Sequence, residues 1–518
     1  MAPDIATSEG KREMPAQSGL SRLGRRRLLV LALGSVGATA LAAACGGAPA
    51  APTQAPAPTA KPAESKPAES KPAEATKPAE APKAAAPAGA KAPITLRFTT
   101  WWAPLEVGLK DAGAQFKETF PHVTVETEMI TTDFVPKMEA ALVAGTWGDA
   151  SISNNGVQVK WMEGGHHLDL ASRFKSDNIN LETDWSLGGL EIWEGKVLCT
   201  PFDNDPRAIY YNKTAFKEAG VKDPWDDLKG KWTIADMVEA AKKLNKTDGN
   251  KITRYGLQWN YTSYQEFSPI VWGLGGNYAS WTELKYTLED KAVVQAHEML
   301  LKWAKDDKIL ITKEATTDLM GAGGAIPFRA GTATMYHRAA YEVQLMDDVI
   351  KDKFEWDAAP LPDIDGSKGG VPVTSANPNF VPAKSRYPDE SYEWVKLLAG
   401  ERFQTFAATG KLFVPSNKKA WKTYQTVNTK GKHLESFIKH VYGRRHGFHF
   451  YNAGMNAAGQ AIDAELDTVY LGKKTLAEAL AAANKKANEV VNFGNAKQPF
   501  KFTVPKEPEK ELSKWGVA

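Results

Sequence analysis

Cysteine is nearly absent from this chain: 518 residues hold two, Cys45 and Cys199. A disulfide framework is therefore excluded. Cys45 closes an N-terminal export-type segment, which leaves Cys199 alone between Leu198 and Thr200, where a cysteine reads as a small buried hydrophobe. Charge of one sign is also lacking. The formal net charge is +3, and part of it comes from Arg25, Arg26 and Arg27. No basic stripe marks a nucleic-acid partner. Hydrophobic residues at 43% and charged residues at 24% describe a soluble globular protein rather than a membrane-embedded one. The chain has no G-x-S-x-G elbow, no phosphate loop and no complete dinucleotide fingerprint, so no catalytic or cofactor-binding motif is legible. Two histidine clusters, His166-His167 and His446 with His449, bring neither Cys nor carboxylate at metal spacing. They read as surface or packing residues, and neither a metal nor a cofactor is expected.

What is present begins with Arg25-Arg26-Arg27-Leu28-Leu29 and an apolar run through Val30, Leu33, Val36 and Leu41. A basic start, a short apolar stretch and small residues at its end describe a secretory signal. Gly34, Ser35 and Gly37 interrupt the run, which suits a permanent membrane span poorly. The arginines resemble a twin-arginine export motif, although Gly24 stands where a polar residue is usual; general secretion is the alternative. Leu41-Ala42-Ala43-Ala44-Cys45-Gly46-Gly47 resembles a lipobox with Ala42 in the usual leucine position, and implies lipidation of Cys45. The alternative is an ordinary cleavage site with an incidental cysteine. Residues 46–93 are almost wholly Ala, Pro, Lys, Glu, Ser and Thr, with a repeat at Lys61-Pro62-Ala63-Glu64-Ser65 and Lys66-Pro67-Ala68-Glu69-Ser70. Nothing in that composition buries apolar surface, so the segment reads as an extended spacer on the order of 100 Å in reach. A lipid attachment followed by a long spacer is the layout of a tethered receptor on the outer face of a membrane.

From Ile94 the texture changes. Residues 94–102 alternate as a half-buried strand, a helical pattern occupies 109–120, and Val123-Thr124-Val125 reads as a second strand. Strand, helix and strand at this spacing predict a βαβ unit and a parallel sheet. Further strands are expected over 149–153 and 197–202, and after Ile209-Tyr210-Tyr211 the chain turns mostly helical. Helices are expected over 234–244, 293–304, 389–398 and 476–491. The fold class is α/β with added helices.

Several segments then fall in a recognisable order. Gly195-Lys196-Val197-Leu198-Cys199-Thr200-Pro201 precedes Ile209-Tyr210-Tyr211-Asn212-Lys213 and Phe216-Lys217-Glu218-Ala219-Gly220. Tyr255-Gly256-Leu257, Gly275-Gly276 and Phe328-Arg329-Ala330-Gly331-Thr332-Ala333-Thr334-Met335 come next. Trp356-Asp357-Ala358-Ala359-Pro360-Leu361-Pro362, Gly370 and Gly472-Lys473-Lys474-Thr475-Leu476-Ala477-Glu478-Ala479-Leu480 complete the series. Together they resemble the family 1 extracellular solute-binding proteins, the maltose-binding-like receptors of ATP-binding-cassette importers, from Ile94 to Val491. The resemblance implies a two-lobed periplasmic-binding-protein (Venus-flytrap) fold of type II with a ligand cleft between lobes. The first lobe would hold about 94–203 plus 371–435, and the second about 208–365 plus 440–500. It also implies a monomeric, extracytoplasmic receptor that closes on a sugar or oligosaccharide and delivers it to permease subunits served by a separate ATPase. A sensor that signals to a membrane kinase has the same sequence features. A peptide, polyamine or phosphate ester is the alternative solute, and an exported carbohydrate-active enzyme is the rival from another class.

Candidate ligand contacts come from both lobes. Trp101 and Trp102 follow the first strand, where sites in open α/β sheets lie, and sixteen tryptophans overall point either to stacking surfaces or to a Trp-rich core. Strand alternation predicts that one of the pair is buried. Asp149 resembles the family's acidic residue before the third strand; its bland alternative is a helix cap. Asp205 and Arg207 form an acid-x-base pair suited to a polyol's hydroxyls, or else a salt bridge bracing the hinge. A glycosidase acid pair is disfavoured for want of an opposed partner. On the second lobe the candidates are Trp259, Tyr261, Trp272, Asn277, Arg338 and Tyr341, with Asn377 and Tyr451 from later loops. Where the family commonly has Gly-Pro-Trp after its Met segment, with the Trp on a sugar, this chain has Ala339-Ala340-Tyr341.

Overall fold

The computed structural model describes residues 91–518 apart from 154–156, 187–191, 194, 281–282, 284, 322–324, 365–369, 428–430, 443, 446–453, 492–507 and 518. The export-type segment with Cys45, most of the spacer, His446, His449 and Tyr451 lie outside the described residues.

The first half builds β1 (Ile94–Thr100), α1 (Glu106–Thr119), β2 (Val123–Met129), α2 (Phe134–Ala144) and β3 (Ala150–Ile152). The chain then passes into β4 (Arg207–Asn212), α3 (Ile234–Leu244), β5 (Lys246–Asp248), β6 (Lys251–Gln258), α4 (Tyr264–Gly273) and α5 (Lys291–Leu301). Next come β7 (Ala333–Ala339), α6 (Glu342–Ile350), β8 (Trp356–Ala359), β9 (Asn379–Phe380), α7 (Pro388–Ala399) and α8 (Glu401–Thr409). The helices α9 (Trp421–Thr426), α10 (Met455–Tyr470) and α11 (Leu476–Val490) follow.

The first sheet has the order β9-β3-β1-β2, with β1 parallel to β2 and β3 and with β9 antiparallel to β3. The βαβ unit is thus present. Alternation in β1 turns Leu96 and Phe98, both without solvent exposure, onto Phe116 of α1 and Trp394 of α7. The Phe98 and Trp394 rings meet at 5.8 Å, edge to face. β1 ends at Thr100, two residues earlier than expected.

The second sheet has the order β8-β4-β7-β6-β5. All six residues of β4 are buried, because helices cover both faces of this sheet, and a strand so placed reads as a continuous apolar run. On one face Ile209, Tyr211 and Leu257 pack with α3, α4, α5, α10 and α11. A capping box at Thr233 and Asp236 starts α3. Met237, Ala241 and Leu244 then form its buried stripe. Gly256 of β6 lets that helix approach, since a Cβ there would stand 2.3 Å from the Ala241 carbonyl oxygen. On the other face Ala208, Tyr210 and Ala358 pack with Trp421, Tyr424, Leu434 and Phe437. That stretch of chain, grouped with the first lobe in the sequence reading, therefore shares a core with the second sheet.

The expected strand over 197–202 is the main difference. Only Lys196–Val197 is a strand, and Asp203–Asn204 pairs with Val414–Pro415. This stretch crosses between the sheets, so its backbone groups go to several partners. Thr200 exchanges hydrogen bonds with Asn379 at 2.8 and 3.0 Å, and Asp205 N–H donates to Ser375 O at 2.7 Å. Cys199 is fully buried, with its Sγ 3.4 Å from His167 Nδ1. His167 is itself buried and stacked on Phe380, whereas its neighbour His166 is partly exposed.

Buried imidazoles make the fold acid-sensitive. Burial pushes His167 and His297 down to about 3, and His440 down to about 4, from an ordinary 6.5. The unfolded chain takes up these protons more readily. The stability they contribute is complete above pH 6.5 and drains away as pH falls toward the folded values. Neither ring nitrogen of His297 has a partner. The thermal midpoint is expected to fall between about pH 7 and about pH 5, and less steeply in His297→Leu. Parallel melting curves for the two proteins would remove His297 from this account.

Candidate functional site

The residues that the sequence singles out at the first crossing converge where β4 begins. Arg207 lies opposite Ala339, the last residue of β7, so Arg338 and Tyr341 sit at the same sheet edge. The chain leaving β6 turns into α4 and brings Glu266 beneath them. Arg207 Nε donates to Glu266 Oε1 at 2.8 Å, with both side chains almost fully buried. His337 Nδ1 lies 2.6 Å from the other Glu266 oxygen, and Arg338 Nη1 lies 3.6 Å from the first. Burial alone would raise the Glu266 carboxyl. Arg207, His337 and Arg338 outweigh it and hold the group well below the usual carboxylate range. Trp259 closes the cluster from below, stacking on His337 at 4.1 Å and donating Nε1–H to Glu266 O at 2.8 Å.

Above this ionic floor the geometry is more open. Arg338 keeps about a third of its side chain exposed, and its Nη2 donates to Tyr341 Oη at 2.5 Å. Burial pushes the Tyr341 hydroxyl up to about 12, so it stays protonated and able to donate. Asp205 Oδ2 accepts from Ser375 Oγ at 3.2 Å, while Oδ1 is buried without a hydrogen-bond partner. Burial raises the Asp205 carboxyl against the pull of Arg207 and Arg338. Asn377 is tied to the crossing, with Nδ2 donating to Asp203 Oδ2 at 3.0 Å. The edge therefore brings together a carboxylate, a guanidinium and a phenol, all on rigid supports.

On the first lobe, Trp101 and Trp102 follow the end of β1. Both are partly exposed, so neither is the buried member that alternation predicts; the strand has already ended. Trp101 packs on Phe134 at 4.7 Å and Trp102 on Phe413 at 5.5 Å. Asp149 is buried and fastens the fold. It accepts from Arg97 N–H at 2.9 Å and Arg386 Nη2 at 3.0 Å, and it caps no helix. Tyr261 and Trp272 are, like Trp259, inside the second-lobe core. Tyr261 meets Tyr470 at 3.8 Å, and Trp272 Nε1 donates to Asn277 Oδ1 at 3.2 Å. For these three the core alternative describes where the tryptophan and tyrosine faces go. Glu266, His337 and Ser375 complete the cluster, although no sequence signal sets them apart. Among the described residues, no three His, Cys, Asp or Glu side chains gather to hold a metal ion.

Two α/β lobes on separate sheets, joined by strands that cross between them beside this polar edge, define the two-lobed periplasmic binding-protein class. The family model described as bacterial extracellular solute-binding protein matches residues 100–405, and the chain belongs to that family. Its fold is similar to that of Lmo0181 from Listeria monocytogenes, an ABC substrate-binding protein solved with cycloalternan. There the TM-score is 0.66 at 19% identity, covering 76% of this chain and 98% of that one. It is also similar to the GacH receptor of Streptomyces glaucescens, solved unliganded and with acarbose. That match has TM-score 0.64 at 19% identity, over 78% of this chain and 99% of that one. Among curated relatives, the sn-glycerol-3-phosphate-binding periplasmic protein UgpB of Brucella abortus is 28% identical over 116 residues, 22% of this chain. The chain spans about a quarter of the length of that relative.

Removing one partner of the buried ion pair should expose what it supports. Glu266→Gln removes the carboxylate that Arg207 pairs with in the buried floor and is expected to cost about 3–5 kcal/mol of stability. The double variant Arg207→Met/Glu266→Gln should recover part of it, as read by denaturant unfolding. A double variant no more stable than the single one would contradict the pairing.

Proposed function

We propose that this chain is an extracytoplasmic receptor that captures a sugar or oligosaccharide between its lobes and presents it to an importer's permease. The observation that carries the reading is the edge formed by Asp205, Arg338 and Tyr341. It offers an unpartnered acceptor beside partly exposed donors, the complement of a polyol's hydroxyls. Trp101 and Trp102 on the first lobe supply aromatic faces for the apolar side of a pyranose. A solute touching both sets favours the closed arrangement of the lobes, because only that arrangement lets it make both sets of contacts. The solved relatives bound to cycloalternan and acarbose support a saccharide. Asn377 and Tyr451 are further candidate contacts, whereas Arg207, Asp149, Trp259, Tyr261, Trp272 and Asn277 act as supports.

The similarity to a glycerol 3-phosphate receptor favours a second reading, a phosphate ester held by Arg207 and Arg338. Against it, Glu266 already takes up the Arg207 charge at 2.8 Å. An anion would meet a floor whose positive charge is largely spent. Peptides and polyamines have no comparable support. The family is one of binding proteins, and the reading assigns no catalysis to the edge.

The same reading places the receptor on the outer face of the cytoplasmic membrane as a monomer. Cys45 carries the lipid, residues 46–93 form the tether, and export runs through the twin-arginine or the general route. Its partners are two permease subunits and their ATPase.

A thermal-shift screen of saccharides, sugar phosphates, glycerol 3-phosphate, peptides and polyamines tests the solute. A ligand at 100-fold above its Kd adds about 2.7 kcal/mol of stability. Asp205→Asn should then weaken saccharide binding roughly tenfold or more by calorimetry. A response to glycerol 3-phosphate with silence across the sugars would replace the saccharide with the phosphate ester. Separately, Cys45→Ala is expected to move the protein from the membrane fraction to the soluble one. Retention on membranes would remove the lipid anchor.

A further inference from the structure

Away from the polar edge, one carboxylate joins the lobes. Asp347 on α6 accepts a hydrogen bond from Lys411 Nζ through one oxygen and from Lys432 Nζ through the other. Lys411 belongs to the first lobe: it follows α8, and its neighbours Leu412 and Phe413 are buried in the first-lobe core. Asp347 and Lys432 belong to the second. Met346 beside Asp347 lies in the cluster under the second sheet, and Lys432 Nζ sits 3.8 Å from the Trp356 ring of β8. The Lys411 bond therefore crosses between lobes, while the Lys432 bond fixes the carboxylate from within one of them. Burial works to raise the Asp347 carboxyl, and the two lysines together hold it below its ordinary value.

The surroundings make this more than an exposed surface pair, which would contribute little. Ala408 and Val414, on either side of Lys411 in sequence, share a buried cluster with Val343 and Met346 of α6. Lys411 itself takes a left-handed conformation just past α8, with φ at 55°. Both ends of the contact lead directly to the candidate site. Phe413, two residues beyond Lys411, packs on Trp102 at 5.5 Å. α6 begins one residue beyond Tyr341, and its Glu342 lies 3.9 Å from Arg338.

We propose that Lys411 and Asp347 form a latch between the lobes that sets how far they stand apart before a solute arrives, linked to Trp102 through Phe413 and to Tyr341 through α6. The effect on solute affinity rests on the receptor reading; the latch itself does not. A contact present in one arrangement of the lobes and stretched in another biases that equilibrium, and solute affinity follows the bias.

The test uses the full chain carrying Cys45→Ser, with spin labels at Lys117→Cys on α1 and Lys291→Cys on α5. Both positions are exposed, and Cys199 is buried. The interlobe distance distribution is measured first without any solute. Lys411→Met and Asp347→Asn are expected to shift or broaden it, and Lys432→Met to leave it in place. Once a solute is known, Lys411→Met should change its affinity roughly threefold or more, although it touches no candidate contact residue. An unchanged distribution in a folded Lys411→Met protein would overturn the latch even if the protein melted lower. A shift in Lys432→Met equal to that in Lys411→Met would overturn it too, since the effect would then not depend on crossing between lobes. The distance measurement needs no solute, so the latch and the receptor reading fail separately.

Discussion

An ionised side chain cannot be drawn out of water alone, and this constraint governs the point where the chain enters its second lobe. Arg207 opens β4 almost fully buried, and Glu266 meets it there. Much else follows from that meeting. The turn from β6 into α4 is fixed because it must deliver Glu266. His337 and Arg338 are held at the end of β7 by the same carboxylate, and Trp259 is drawn in to cover it. A polar edge resting on such a floor has few alternative arrangements, so Asp205 and Arg338 hold their positions without a ligand to organise them.

The short connections between lobes have a related character. Their backbone groups are satisfied by one another and by the edge strand β9 of the first sheet. Asp205 pairs with Ser375, Thr200 with Asn379, and Asp203–Asn204 with Val414–Pro415. Segments tied to one another in this way bend as a group.

How much of this the sequence reveals depends on whether a feature is local. β1, α1 and α3 announce themselves by periodicity, and α3 occupies the span its pattern predicts, because alternation and capping act within a few residues. The crossing stretch after Val197 does not, since an apolar run looks like a strand whether its hydrogen bonds go to one neighbour or to three. The site divides in the same way. Asp205 and Arg207 are visible as an acid-x-base pair. Glu266 and His337 become partners only when two separate strands and a helix converge, and nothing in their own neighbourhoods marks them. For Trp259 and Trp272 a count of tryptophans does not say which faces are covered; in the fold His337 and the packing of α4 lie against them.

The order of strands in the first sheet has a consequence for how the protein comes into being. β9 completes that sheet beside β3, yet it is made only after every strand of the second sheet. The first lobe, although it starts the folded chain, is finished late, while the second sheet needs no strand from outside its own stretch. A growing chain therefore carries an open sheet edge at β3 until β9 has been made. Anything that must handle the polypeptide before it folds has that long interval in which to act.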